Sequence, residues 1–174
     1  MWVFLSIILT TITLLWQRKH DRLSVRPIPI ISTFNYGTEI SIPIENCGVG
    51  PLIIKSIQVG RVAENSDRKF FEWPVHEFPK TQEHVPIGIH VLPLNSALLP
   101  GKTVKLLYCK IDQTKTEQRN EMNAIREDLR KIFAFRVVYT DIYDSTPVIS
   151  QQAVSSDTWT HIDPDEEKLF CDPS

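Results

Sequence analysis

Cysteine is scarce in this chain. Its 174 residues hold only Cys47, Cys109 and Cys171, with no C-x-x-C pair. So sparse and odd a set excludes a disulfide-dense scaffold and points to free thiols, with a Cys47–Cys109 bridge between two strands as the alternative. Glycine is also sparse, six residues against twelve prolines. No glycine-rich loop leads into a helix, which excludes a phosphate cradle; Gly48-Val49-Gly50-Pro51 is too short and opens a strand. A G-x-S-x-G nucleophile elbow is absent too. Charge of one sign is lacking, because the formal net charge is −2. No basic field is left to attract nucleic acid.

Metal-binding and catalytic patterns are missing in the same way. His20, His76, His84, His90 and His161 share neither helical nor finger spacing, so no metal and no other cofactor is expected. The densest ligand-like group is His161 with Asp163, Asp165, Glu166 and Glu167. Without a glycine-centred calcium loop it reads as an acidic, solvated tail. Asp141 and Asp144 flank Ile142-Tyr143 at a strand end, and paired carboxylates can carry acid–base chemistry. The turn alone accounts for Asp144. No catalytic residue is therefore expected. A hydrolase-like enzyme using Asp141, Asp144 and a histidine brought near by folding is the rival reading.

What is present begins with an apolar run, WVFLSIILTTITLLW, from Trp2 to Trp16. As a helix it spans roughly 22 Å, short of the ~30 Å hydrocarbon core. It is apolar on all sides and tryptophans sit at both ends, which favours lipid over a buried core helix. A cleaved signal peptide would want a basic start and a small-residue cleavage site, and neither is seen. The run therefore reads as a transmembrane anchor, with residues 2–16 in membrane lipid. Arg18, Lys19, Arg22 and Arg26 follow it at once. By the positive-inside rule this predicts a single-pass membrane protein with its C-terminal domain in the cytoplasm. A periplasmic accessory domain requires the opposite topology.

Beyond the run the period is mostly two. Residues 23–31 (LSVRPIPII) read as an edge strand or extended lead-in, since Pro27 and Pro29 remove ladder donors. Ile40, Ile42 and Ile44 alternate with polar partners over 39–45, and residues 52–59 make a second, less regular strand. Asn46 to Pro51 is a dense turn signal. A long loop follows over 60–85, with one short strand around Phe70–Trp73. Phe70, Phe71, Trp73 and Phe78 are expected to cap the core. Residues 87–94 look extended. Pro100-Gly101 marks a type II turn, after which Val104, Leu106 and Tyr108 alternate as a strand. Residues 133–143 and 148–154 are two further strands.

The period changes to helical at 114–132, where Met122, Ile125, Leu129 and Ile132 share a face. Thr114 and Glu117 have capping-box spacing, and Glu127 and Lys131 an i,i+4 pairing. Many short strands with one inserted helix predict a mainly β fold, an antiparallel sandwich. The expected division is an anchor helix over 1–17, a basic juxtamembrane segment and first strand over 18–30, the sandwich over 31–154 and an acidic tail over 155–174.

Three stretches carry a resemblance: His20-Asp21-Arg22-Leu23-Ser24-Val25-Arg26-Pro27; Asn46-x-Gly48-x-Gly50-Pro51 leading into Leu52-Ile53-Ile54-Lys55-Ser56-Ile57; and Val138-Tyr139-Thr140-Asp141-Ile142-Tyr143-Asp144. Together with the apolar run and the Pro100-Gly101 turn, the chain resembles a group of uncharacterised bacterial membrane-anchored proteins from the anchor to about Asp144. The resemblance implies an immunoglobulin-like sandwich and a membrane location, and brings no activity with it. The expected function is a non-catalytic protein-interaction or scaffold module with one protein partner. Two surfaces are candidates: the edge strand near 23–31 and the aromatic loop 70–78.

Overall fold

The computed structural model of the chain describes residues 2–62, 67–74, 84–112, 114–143 and 146–155. One helix, α1 (Trp2–Ser24), leads into ten strands with a second helix near the end. The strands are β1 (Pro29–Ile31), β2 (Phe34–Asn35), β3 (Glu39–Asn46), β4 (Leu52–Val62) and β5 (Arg68–Glu72), then β6 (Ile87–Ile89), β7 (Ser96–Leu98) and β8 (Thr103–Lys110). The helix α2 (Thr116–Leu129) separates β8 from β9 (Ile132–Thr140) and β10 (Val148–Ala153). They form two antiparallel sheets. One has the order β1-β3-β8-β6 with β2 beside β3; the other has β10-β9-β4-β5 with β7 beside β4. The mainly β, two-sheet architecture expected from the alternation is thus what folds.

The core lies between the sheets. Ile40, Ile42 and Ile44 of β3 are fully buried, as their period requires, together with Leu52 and Val59 of β4 and Phe135 of β9. On β8 the outcome differs from the expected face. The register shifts between Ile42 and Pro43, so that Ile42 pairs with Leu107 and Pro43 with Lys105. Leu106 is the extra residue of a bulge, and a bulge re-aims the side chains after it. Leu107 and Cys109 therefore join Leu106 in the core, while Tyr108 is only half-buried. A second bulge, between Ile54 and Ser56, explains the weak alternation of β4.

Met122, Ile125 and Leu129 put the apolar face of α2 into the core, each fully buried. Such side chains each stabilise by about 1.5–3 kcal/mol. The helix is shorter than expected at both ends, and Ile132 is buried from β9 instead. No capping box forms: Lys115 is the N-cap and makes no side-chain cap bond. The Thr114 hydroxyl and N–H both donate to Asp112 Oδ1, at 2.8 and 3.1 Å. These bonds hold the Asp112 carboxyl below its ordinary pKa. Glu127 pairs with Arg130 and Lys131 with Asp128, both at i,i+3, rather than with each other.

The 46–51 turn is organised by one buried amide. Asn46 Nδ2 donates to the carbonyls of Gly50 (2.8 Å) and Leu98 (2.9 Å), and its Oδ1 accepts from the N–H of Gly48 (3.0 Å) and Ile28 (3.3 Å). The glycines let the incoming chain lie against this turn. A Cβ on Gly48 would stand 2.4 Å from the Arg26 carbonyl oxygen, and one on Gly50 1.8 Å from that of Val25.

The anchor expectation is corrected. Among the described residues no helix is long and apolar enough to cross a membrane. The helix itself is longer than the expected 1–17, and its last third takes in Arg18, Lys19 and Asp21. Only the ~22 Å of apolar run is left, against a ~30 Å hydrocarbon core. A single-pass membrane location does not fit, and the cytoplasmic orientation built on it falls with it. The apolar side chains of α1 nonetheless stand free, Phe4 at 73% and Trp16 at 77% exposure.

Candidate functional site

Of the edge strand expected at 23–31, Leu23 and Ser24 still belong to α1 and only Pro29–Ile31 pairs as a strand. Its outer side is already taken. Gln152 of β10 reaches across from the other sheet: its Oε1 accepts from the Ile31 N–H at 2.7 Å, and its Nε2 donates to the Pro29 carbonyl at 3.2 Å. One side-chain amide thus fills the positions a partner strand would use.

The second sheet offers more. On the outer face of the second sheet, Gly60 pairs with Phe70 on one side and Ala134 on the other. Gly60 has no side chain, and the Phe133 ring lies over it; a Cβ there would meet that ring at 2.7 Å. Phe70 and Phe133 meet edge to face, with centroids 5.5 Å apart and planes at 72°. The Arg136 guanidinium stacks on Phe70 at 3.7 Å and Arg68 lies 5.3 Å from the Phe133 centroid. Arg136 is further held by Gln58 Oε1 at 3.4 Å and Gln151 Oε1 at 3.2 Å. Arginine and aromatic residues are each enriched in the cores of protein–protein interfaces.

Beside this cluster runs β10, the end strand among those described in its sheet. The Val154 N–H donates to the Phe133 carbonyl. By antiparallel alternation, Ile149, Gln151 and Ala153 turn their backbone groups away from β9. The same residues place their side chains on the outer face with Arg136, and Ile149 is 63% exposed. Among the described residues, an edge without a partner strand and a cationic aromatic face therefore adjoin.

The other candidates fare variously. Phe71 and Trp73 pack on the core as expected, and the Trp73 indole donates to the His90 carbonyl. Phe70 does not cap the core but turns outward. Phe78, His76, Asp144, Cys171, the 156–174 tail and its His161, Asp163, Asp165, Glu166 and Glu167 lie outside the described residues. Asp141 Oδ1 accepts from the Tyr143 N–H at 2.7 Å, a turn-forming role. A cleft of about 530 Å3 nearby is lined by Arg18, Asp21, Ser24, Val25 and Tyr143, which bring no two carboxylates together. His84 sits between Glu121 (2.8 Å) and Glu117 (3.5 Å) and fixes its loop to α2. Among the described residues no three His, Cys, Asp or Glu side chains could hold a metal ion. Cys47 and Cys109 are unbridged, and burial pushes the Cys109 thiol up to about 11.

Sequence reasoning missed Arg136, Phe133 and Gln152. The available signal was Gly60, since a glycine inside a strand pattern often marks close approach by another group. No family model, no curated protein and no solved structure matches this chain.

Proposed function

We propose that the chain is a non-catalytic protein-interaction module, and that it takes an extended acidic segment of a partner protein along β10. The observation that carries this is the Arg136–Phe70 stack, 3.7 Å apart, beside an end strand. A strand added to β10 gains main-chain hydrogen bonds at Ile149, Gln151 and Ala153. Its outward side chains share the face of Arg136, and a carboxylate that reaches across β10 forms a charge-assisted bond with that guanidinium. We read the sandwich as immunoglobulin-like, which its two antiparallel sheets support.

The test is a titration of the isotope-labelled chain with two peptides, one alternating Glu with Val and one alternating Lys with Val. The acidic peptide is expected to shift the amides of Ile149, Gln151 and Ala153, and to lose that effect on the Arg136→Gln variant. Equal shifts from the lysine peptide, or none from either, refute the reading.

A further inference from the structure

We propose that His84 is a proton-operated clasp: its imidazolium bridges Glu117 and Glu121 and holds the lead-in to β6 against α2, and loss of the proton loosens that hold. The ring lies between two carboxylates of one helix face. Its Nδ1 is 2.8 Å from Glu121 Oε1 and its Nε2 is 3.5 Å from Glu117 Oε2. Glu117 and Glu121 share that face because they are an i,i+4 pair. A neutral imidazole has one N–H donor and one lone-pair acceptor. If Nδ1 donates to Glu121, the Nε2 lone pair is turned on the Glu117 carboxylate and is repelled. If Nε2 keeps the proton, the Nδ1 lone pair is pressed on Glu121 at hydrogen-bond distance. Only the imidazolium donates on both sides, so the arrangement selects the charged form.

No other cation among the described residues takes its place. Neither Glu117 nor Glu121 pairs with a lysine or an arginine there. Further along α2, Arg126 is turned to Asn35. From β8, Cys109 stands near Glu121, and its thiol, pushed up to about 11, stays neutral. Asp112, just after β8, reaches the group only through Gln118, whose Oε1 accepts from the Asp112 N–H at 2.8 Å. The Asp112 carboxylate is itself engaged with Thr114.

The clasp acts on a weakly held part of the fold. β6 is three residues long, pairs only with β8, and is the end strand of its sheet among those described. Short end segments of this kind open locally before the core does. Just ahead of β6, the His84 N–H donates to Glu121 Oε2 at 3.3 Å and its carbonyl accepts from Gln118 Nε2 at 2.9 Å. Glu121 thus holds ring and backbone together, and the ring's charge bears directly on the backbone that enters β6. A contact made by the charged ring is complete below the ordinary imidazole pKa of ~6.5 and is lost as pH rises above it. The lead-in to β6 is therefore fastened in acid and loosened in alkali. The ring is 44% exposed, which keeps each ion pair in the modest range of surface pairs.

The experiment is amide hydrogen exchange on the isotope-labelled full chain at about pH 5.5 and about pH 8.5, on either side of the imidazole range. Each rate is divided by its intrinsic value at that pH. Two amides report the clasp: His84, bound to Glu121, and His90, which donates to the Leu106 carbonyl at 2.9 Å just beyond β6. Amides of β4 and β9 are the reference. Relative to them, protection at His84 and His90 should fall roughly three- to tenfold from the lower pH to the higher, as two partly exposed ion pairs weaken. His84→Gln, which hydrogen-bonds but does not titrate, should show the low protection at both pH values. Glu117→Gln should lose most of the pH dependence, because an amide there can donate to the neutral ring. A purely structural tie would give the same relative protection at both pH values. That result in the wild type, a pH dependence that survives His84→Gln, or a Glu117→Gln chain as pH-sensitive as the wild type would each overturn the proposal.

Discussion

Replacing Asn46 by alanine removes four side-chain hydrogen bonds at once, to Gly50, Leu98, Gly48 and Ile28. The residue is fully buried, so water does not replace them without opening the turn. A buried group left without its partner costs about 1–3 kcal/mol; discounting the 3.3 Å bond leaves three, and at about 1–2 kcal/mol each they give roughly 3–6 kcal/mol in all. Against a total stability of about 5–15 kcal/mol, that is a large fraction. With a urea slope near 1.5 kcal/mol/M, the unfolding midpoint should fall by about 2–4 M. Asn46→Asp sharpens the test. It keeps the acceptor but points a carboxylate at two carbonyls. Burial and those carbonyls raise the new carboxyl's pKa above its unfolded value of ~3.9. The group's contribution is then retained below about pH 3.9 and lost as pH rises through the folded pKa. Midpoints measured across pH should therefore fall from acid to neutral for Asn46→Asp relative to Asn46→Ala. A midpoint shift under about 0.5 M for Asn46→Ala, or no such pH trend, refutes the claim that this amide organises the turn.

Three further outcomes follow from the same contacts. Gly50→Ala should destabilise far more than Gly101→Ala. The first drives a Cβ to 1.8 Å from a backbone oxygen, whereas the second meets nothing within 4 Å and bears only a left-handed φ of 66°, worth about 1 kcal/mol; equal melting temperatures would contradict this. Arg126 is buried and donates to Asn35 Oδ1 (2.9 Å) and to the Tyr36 and Gly37 carbonyls (3.0 and 3.3 Å). Arg126→Met should lower stability by about 2–4 kcal/mol in denaturant unfolding, because acceptors are stranded. Burial holds the Cys109 thiol protonated up to about 11, above its ordinary 9.0. Its contribution is thus complete below pH 9 and lost as pH rises toward 11, so Cys109→Ala should flatten the alkaline limb of the stability curve.

Much of the architecture was legible because burial on one face imposes a period. Ile40, Ile42 and Ile44 announce β3, Met122, Ile125 and Leu129 announce α2, and Pro100-Gly101 announces its turn, closed by the Lys102 N–H on the Leu99 carbonyl. What escaped depends on pairing between distant segments. The Leu106 bulge exists only against Ile42 and Pro43, so β8 alone shows a false face. The Arg126 guanidinium contacts residues 89 to 91 positions away, and no local pattern encodes that. The candidate site is of the same kind. Phe70 and Phe133 come together only because β4 runs between their strands with Gly60 at the crossing. The apolar run misled for another reason: hydropathy read without the helix's true end took a length of chain for a span.

The way the chain enters the sandwich has a mechanical consequence. The residues after α1 press their backbone into the hollow left by Gly48 and Gly50, and Cys47 donates to the Ile28 carbonyl just beyond. The joint is therefore a bracket and not a swivel. A torque on α1 reaches the Asn46 turn within a few residues, and from there β3 and the Leu98 turn. Whatever holds the helix thereby also sets the direction in which the sandwich faces.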